Sequence, residues 1–178
     1  MNQNVGTRQR LINAFWELYC NQRIEKITVR EITAKVGCNR GTFYEYFLDV
    51  YDVLEQIENE LIPEIDELPP LQASFQQPMD TFIKLYAQHS QYYSVLLSAK
   101  GDPAFAWKLK TSVKAKLIEA FATSQRDPAV LDYTLEFILS AMIGVLTHWF
   151  QNGEVMPKEA LLALMYRLMP KEALLDFV

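Results

Sequence analysis

Thr28-Val29-Arg30-Glu31-Ile32-Thr33-Ala34-Lys35-Val36-Gly37-Cys38-Asn39-Arg40-Gly41-Thr42-Phe43-Tyr44-Glu45-Tyr46-Phe47 is the stretch that decides the fold. Thr28 and Glu31 have the spacing of a capping box, in which hydroxyl and carboxylate each satisfy a backbone N–H left open at a helix start. The helix that begins there runs through Ile32 to Val36 and meets Gly37, which adopts the left-handed conformation that ends helices without a Cβ penalty. Two residues later Asn39 caps another helix, Arg40 to Phe47, in which Phe43 and Phe47 stand four apart and turn inward together. Two short helices joined by a three-residue, glycine-containing turn make a helix-turn-helix, an arrangement that needs a small residue where the helices cross; Ala34 meets that need.

Upstream, residues 8–23 place Leu11, Ala14, Phe15, Leu18 and Gln22 at three- and four-residue steps, with Ile12, Trp16 and Tyr19 on an adjoining stripe, so a first helix packs on two sides. Downstream, Asp49 and Asp52 favour the positive end of a fourth helix, expected to run to about Glu67. The helix from Arg40 offers Arg40 and Tyr44 on its outward face, with Asn39, Thr42 and Tyr46 beside them, Gly41 permitting close approach and Glu45 as the discordant member. Arg donates in bidentate fashion to guanine, Asn, Thr and Tyr reach phosphates, and a Thr methyl can meet the thymine methyl.

The capping box Thr28-Val29-Arg30-Glu31-Ile32, followed by Val36-Gly37-Cys38-Asn39-Arg40-Gly41-Thr42-Phe43-Tyr44-Glu45-Tyr46-Phe47, resembles the DNA-binding head of TetR-family transcriptional regulators; the match covers residues 8 to about 60. The resemblance implies that Thr28 and Arg30 contact phosphates, that Asn39, Arg40, Gly41, Thr42 and Tyr44 lie at the major groove, and that Tyr46 holds a phosphate. The chain departs from the family at Leu48 and Val50, which stand where cations are expected. Each neutralised phosphate adds about 0.9 to the log-log salt slope, so binding is expected to be weaker and less salt-sensitive.

Composition agrees with a small basic head on an acidic body. Of 178 residues, seven Lys+Arg face four Asp+Glu over residues 1–48, against ten and eighteen in the remainder, for a net charge of -5. Two cysteines, Cys20 and Cys38, cannot frame a disulfide scaffold, and the opening MNQNVGTRQR lacks an apolar signal core, so a cytoplasmic protein is expected. The longest uncharged stretch, residues 137–153, is 17 residues long and holds Ser140, Thr147 and His148, which reads as a buried helix rather than a membrane span.

Beyond residue 68 prolines punctuate helical segments at about 78–98 (or two, broken near Ser90), 103–124, 128–152 and 157–169, and no strand pattern persists. The expected fold is all-α, with a helix-turn-helix domain over 1–48, a connecting helix at about 49–67, and a helical regulatory and dimerisation domain over 68–178. Ser140, Gly144 and His148 form a stripe that permits close helix crossing, and Leu161, Leu164, Met165 and Leu168 form a matching one; a four-helix subunit interface would bury both. That accords with the resemblance, whose members commonly dimerise through their last two long helices, and an isologous dimer reads a palindrome. Tyr86, His89, Tyr93, Trp107, Phe121 and Phe137 are candidates to line an apolar pocket for a small-molecule inducer. Lys108, Lys110, Lys114 and Lys116 read as a solvated face.

Enzymatic readings find no framework. His89 and His148 are 59 residues apart, and metal-ligand spacings, nucleophile elbows and phosphate loops are lacking, so no metal, cofactor or catalytic residue is expected. The expected protein is a homodimeric DNA-binding repressor released from its operator by a small ligand. The alternatives are the same fold answering to a protein partner, or a helical binding protein without DNA activity.

Overall fold

The computed structural model describes residues 6–62, 88–99, 101–120 and 127–168, and these divide between two compact units, Met1–Leu61 and Ile62–Val178. Among the described residues all regular structure is helical.

In the first unit α1 spans Thr7–Tyr19, α2 Val29–Val36, α3 Arg40–Tyr44 and α4 Val50–Glu60. α1 is shorter than its apolar pattern because the Asn21 side-chain amide donates to the Glu17 carbonyl at 2.7 Å and closes the last turn, after which a single 3-10 turn, Ile24–Lys26, leads to Thr28. The capping box forms: Glu31 N–H donates to Thr28 Oγ1, and Thr28 N–H donates to Glu31 Oε2 at 2.9 Å. α2 stops at Gly37, whose φ of 75° lies in the left-handed region. α3 ends three residues before the expected Phe47, since Tyr46 and Phe47 N–H both turn back to the Phe43 carbonyl at 3.0 Å. α4 ends at Glu60 rather than near Glu67, with Leu61 N–H bonded to the Glu58 carbonyl in a tightened last turn.

Leu11, Phe15, Ile32, Phe43, Phe47 and Val53 are essentially inaccessible and form the core on which these helices converge. Ala34, expected at the helix crossing, is exposed; Thr33 takes the inner position, its hydroxyl donating to the Val29 carbonyl at 2.9 Å so that no polar atom is stranded. Arg8 closes the base of the unit, donating to Gln56 at 2.7 Å and Glu60 at 2.9 Å with its guanidinium 5.8 Å from the Phe47 ring centroid.

In the second unit α5 covers 88–96, α6 Phe105–Ala120, α7 Pro128–Gln151 and α8 Lys158–Leu168. Ser90 does not break α5, and the remainder of the expected 78–98 segment lies outside the described residues. Asp127 caps α7 with Pro128 in the first turn, where a missing N–H costs nothing. Leu131, Leu135 and Leu139 of α7 meet Leu117 and Val113 of α6. α7 matches the helix expected over 128–152, and by length and composition alone it is apolar enough to cross a membrane. Nine of its side chains are buried within the protein, however, and it carries Asp132 and Glu136, both ion-paired, as befits a core helix.

Those pairs correct the reading of the lysine run as a solvated face. Lys110 Nζ lies 2.5 Å from Glu136, and Lys114 Nζ lies 2.9 Å from Asp132 and 3.0 Å from Glu136, so the two cations clamp α6 to α7. The hydrogen bond from Lys110, then that from Lys114, hold the Glu136 carboxyl down at about 2, while Asp132 and then Glu136 raise the Lys114 ammonium above its ordinary value. Because the folded pKa of Glu136 is depressed, its contribution to stability is complete above the ordinary value of 4.5 and disappears as pH falls toward about 2. Thermal melting across that range is expected to show a shallower acid loss for Glu136→Gln than for the wild type; identical acid limbs would mean that the pair does not hold in solution.

Candidate nucleic-acid interface

α3 is oriented by its two phenylalanines. Phe43 and Phe47 fill the core with ring centroids 5.5 Å apart, and the same turn therefore sends Arg40, Gly41, Tyr44 and Glu45 outward. Tyr44 is 57% exposed, its ring edge-on to Phe43 at 5.5 Å, so its position is fixed while its hydroxyl stays in solvent. Tyr46 is also exposed.

Asn39 is exposed, but its side-chain oxygen accepts from Thr42 N–H at 2.9 Å and from the Thr42 hydroxyl at 3.2 Å, which leaves its amide N–H groups as the outward donors. Thr42 is half-buried beside it. A Cβ on Gly41 would come within 3.1 Å of that Asn39 oxygen, so a larger residue there would press on the cap, and glycine leaves it room while allowing close approach of a ligand. The eight expected contact residues thus share the first unit, and seven of them, Thr42 excepted, are exposed.

Thr28 is less free than its sequence position suggests. Its hydroxyl donates to Glu31 Oε2 at 2.8 Å, and this bond, followed by the one from Thr28 N–H, holds the Glu31 carboxyl below the usual carboxylate range. A phosphate at Thr28 has to share that proton with an ionised neighbour, whereas Arg30 beside it is exposed.

The departure from the expected cations resolves into one position. Val50 is buried in the core, where a lysine would be stranded, so no cation is missing there. Leu48 is 83% exposed, its N–H held by Asp52 at 2.7 Å, so an apolar side chain projects into solvent where the resemblance leads one to expect a cation. Asp49 Oδ1 accepts from Tyr51 and Asp52 N–H at 2.8 and 2.9 Å, so carboxylates already occupy the start of α4. Tyr51, half-exposed on the first turn of α4, was not singled out by sequence, where nothing separates an outward tyrosine from a core one.

In the second unit, Tyr93 is buried against Phe105, with centroids 6.1 Å apart, and His89 is half-buried. Trp107 and Phe137 are each 64% exposed and so do not line an interior pocket: α6 and α7 meet through Leu117, Leu131 and Leu135, which turns these rings to the surface. Tyr86 and Phe121 lie outside the described residues. Ser140, Gly144 and His148 form an exposed stripe on α7, continued by Phe137 and Tyr133, and nothing stands within 4 Å of a Cβ built on Gly144. Of the stripe expected on α8, Leu161 and Met165 are already buried within the protein's own core, Leu164 is half-buried and Leu168 is exposed, so the last two alone are left to face outward.

A family model described as a transcriptional regulator C-terminal region, of TetR type, matches residues 73–171. The chain belongs to the TetR family of transcriptional regulators. No curated protein sequence matches it. Among solved structures this TetR-family chain is similar to a TetR transcriptional regulator from Streptococcus agalactiae, at 22% identity and a TM-score of 0.64, over 91% of this chain and 92% of that one. It is likewise similar to the fatty acid degradation regulator FadR from Bacillus halodurans, at 16% identity and a TM-score of 0.64 over 93% and 96% of the two chains. The dihydroxyacetone kinase operon activator DhaS is a third, at 16% identity and a TM-score of 0.65 over 91% and 93%. At such identities the likeness is one of fold.

The exposed Leu48 gives this TetR-family head a direct test. Leu48→Lys is expected to tighten binding to duplex DNA and to steepen the log-log salt slope by about 0.9 for each head engaged. Fluorescence anisotropy titrations at several salt concentrations check it, and an unchanged slope would place Leu48 away from the backbone.

Proposed function

We propose that this TetR-family regulator is a cytoplasmic homodimer that binds a palindromic operator through α3 and represses transcription until a small ligand releases it. The observation that carries the reading is the division of α3 into a core face, Phe43 and Phe47, and an exposed face of donors and rings, Arg40, Tyr44 and Tyr46 beside Asn39 and Thr42. Such a helix presents hydrogen-bonding groups to base edges while its own packing fixes their direction. Arg30, exposed at the start of α2, is the backbone contact that sets the register, assisted by Thr28.

Dimerisation is supported by the exposed α7 stripe, where Gly144 and Ser140 allow a second helix to approach closely and Tyr133 and Phe137 supply apolar surface. Leu164 and Leu168 of α8 border it in this reading. Ligand release is a population shift: a bound molecule favours a body conformation in which the two heads no longer match the half-site spacing. Tyr93 and His89 are the described residues that remain available to such a site. One structural neighbour bears the name of an activator, so the sign of regulation does not follow from the fold; repression rests on the family resemblance.

Selection of duplexes from a random pool at low salt, with the complex mass measured by sedimentation, tests the reading. The expected outcome is an enriched two-fold palindrome bound by a dimer, whose affinity then serves to screen small molecules. A monomer that enriches no motif would instead favour a helical binding protein without DNA activity.

A further inference from the structure

The side chain at the outward pole of α3 is an acid. At about 100° per residue, Gly41 and Glu45, two positions before and two after the buried Phe43, lie about 160° from it, on the outward pole of α3. Glu45 stays in register with that pole because its N–H bonds to the Gly41 carbonyl at 3.1 Å and its backbone remains helical, with φ of -70° and ψ of -24°. Gly41 has no side chain, so Glu45 is the first side chain along this line, flanked by Thr42 on one side and Tyr44 on the other. It is exposed, and among the described residues its carboxylate receives no hydrogen bond and no ion pair.

An unpaired carboxylate at the centre of a DNA-facing surface is costly in two ways. It is repelled by the phosphates on both sides of the groove, and it loses water on docking. Both penalties apply to any sequence, and one arrangement offsets them: a base that presents an amino group to the carboxylate. In the major groove, cytosine offers N4–H and no acceptor that would oppose the acid, whereas guanine and thymine offer acceptors and adenine sets its N7 acceptor beside its N6 amino group. Discrimination by penalty against the wrong partner is a general route to specificity.

We propose that Glu45 is a specificity-determining residue that accepts a hydrogen bond from a cytosine amino group in each half-site and weakens binding to sequences that lack it. The inference rests on α3 being the helix that enters the groove. It assigns the discordant acid a role that Arg40 cannot fill, since a guanidinium has only donors to offer a base and cannot accept from an amino group.

The test is random duplex selection carried out in parallel with the wild-type full chain, Glu45→Gln and Glu45→Ala, each checked for native helicity and melting. The wild type is expected to enrich a palindrome containing one cytosine per half-site whose replacement weakens binding about tenfold. Glu45→Gln, whose amide pairs with adenine N6 and N7, is expected to shift that single position toward adenine, and Glu45→Ala to lose preference there while binding non-operator duplex more tightly. A wild-type palindrome enriched unchanged by both variants would overturn the role of Glu45 and leave the DNA reading standing. A wild type that enriches nothing would overturn the DNA reading and this inference with it.

Discussion

Burial of Phe43 and Phe47 in one small core is the constraint on which the head depends. Their rings lie against each other, both fully buried in the same unit as Leu11, Phe15 and Ile32, and the short α3 takes its orientation from them. Five residues of isolated helix are unstable in water, so packing and the Asn39 cap together keep α3 helical. Removing either buried ring would leave a cavity in this core, at a cost of about 3 to 5 kcal/mol by comparison with other buried phenylalanines. Everything exposed on α3 is where it is because these two rings are not.

The same stretch was the most legible part of the sequence. Thr28, Glu31, Gly37, Asn39 and Asp49 act through backbone chemistry that depends only on local spacing, and each sits in the cap or turn its residue type implies. What spacing did not resolve was the choice between inner and outer positions on short helices. Thr33 rather than Ala34 lies inside because a threonine can return its hydroxyl to the preceding turn, and Val50 belongs to the core although its neighbours in sequence suggested a lost cation. Leu48, one apolar side chain left in solvent, is legible only once the core is known.

In the body, composition was a weaker guide. A run of lysines reads as solvated surface until Glu136 and Asp132 appear opposite it, a pairing set by the register of α6 against α7 rather than by spacing within either helix. Aromatic residues were likewise ambiguous: Tyr93 packs inside while Trp107 and Phe137 face outward, a distinction governed by which leucines the two helices share. The exposed rings of Tyr133 and Phe137 fall on the stripe of Ser140 and Gly144, so Phe137, expected in a pocket, lies instead on the outer face of α7.

Recognition of DNA by this chain depends on the outer face of α3. Affinity for a selected duplex, measured for Arg40→Ala and Tyr44→Phe beside the wild type under one salt condition, examines that face most directly, because both side chains are exposed and neither change disturbs Phe43 or Phe47. Both substitutions are expected to weaken binding, about tenfold or more for Arg40→Ala. Unchanged affinity in both, with folding intact, would contradict the assignment of α3 as the recognition helix.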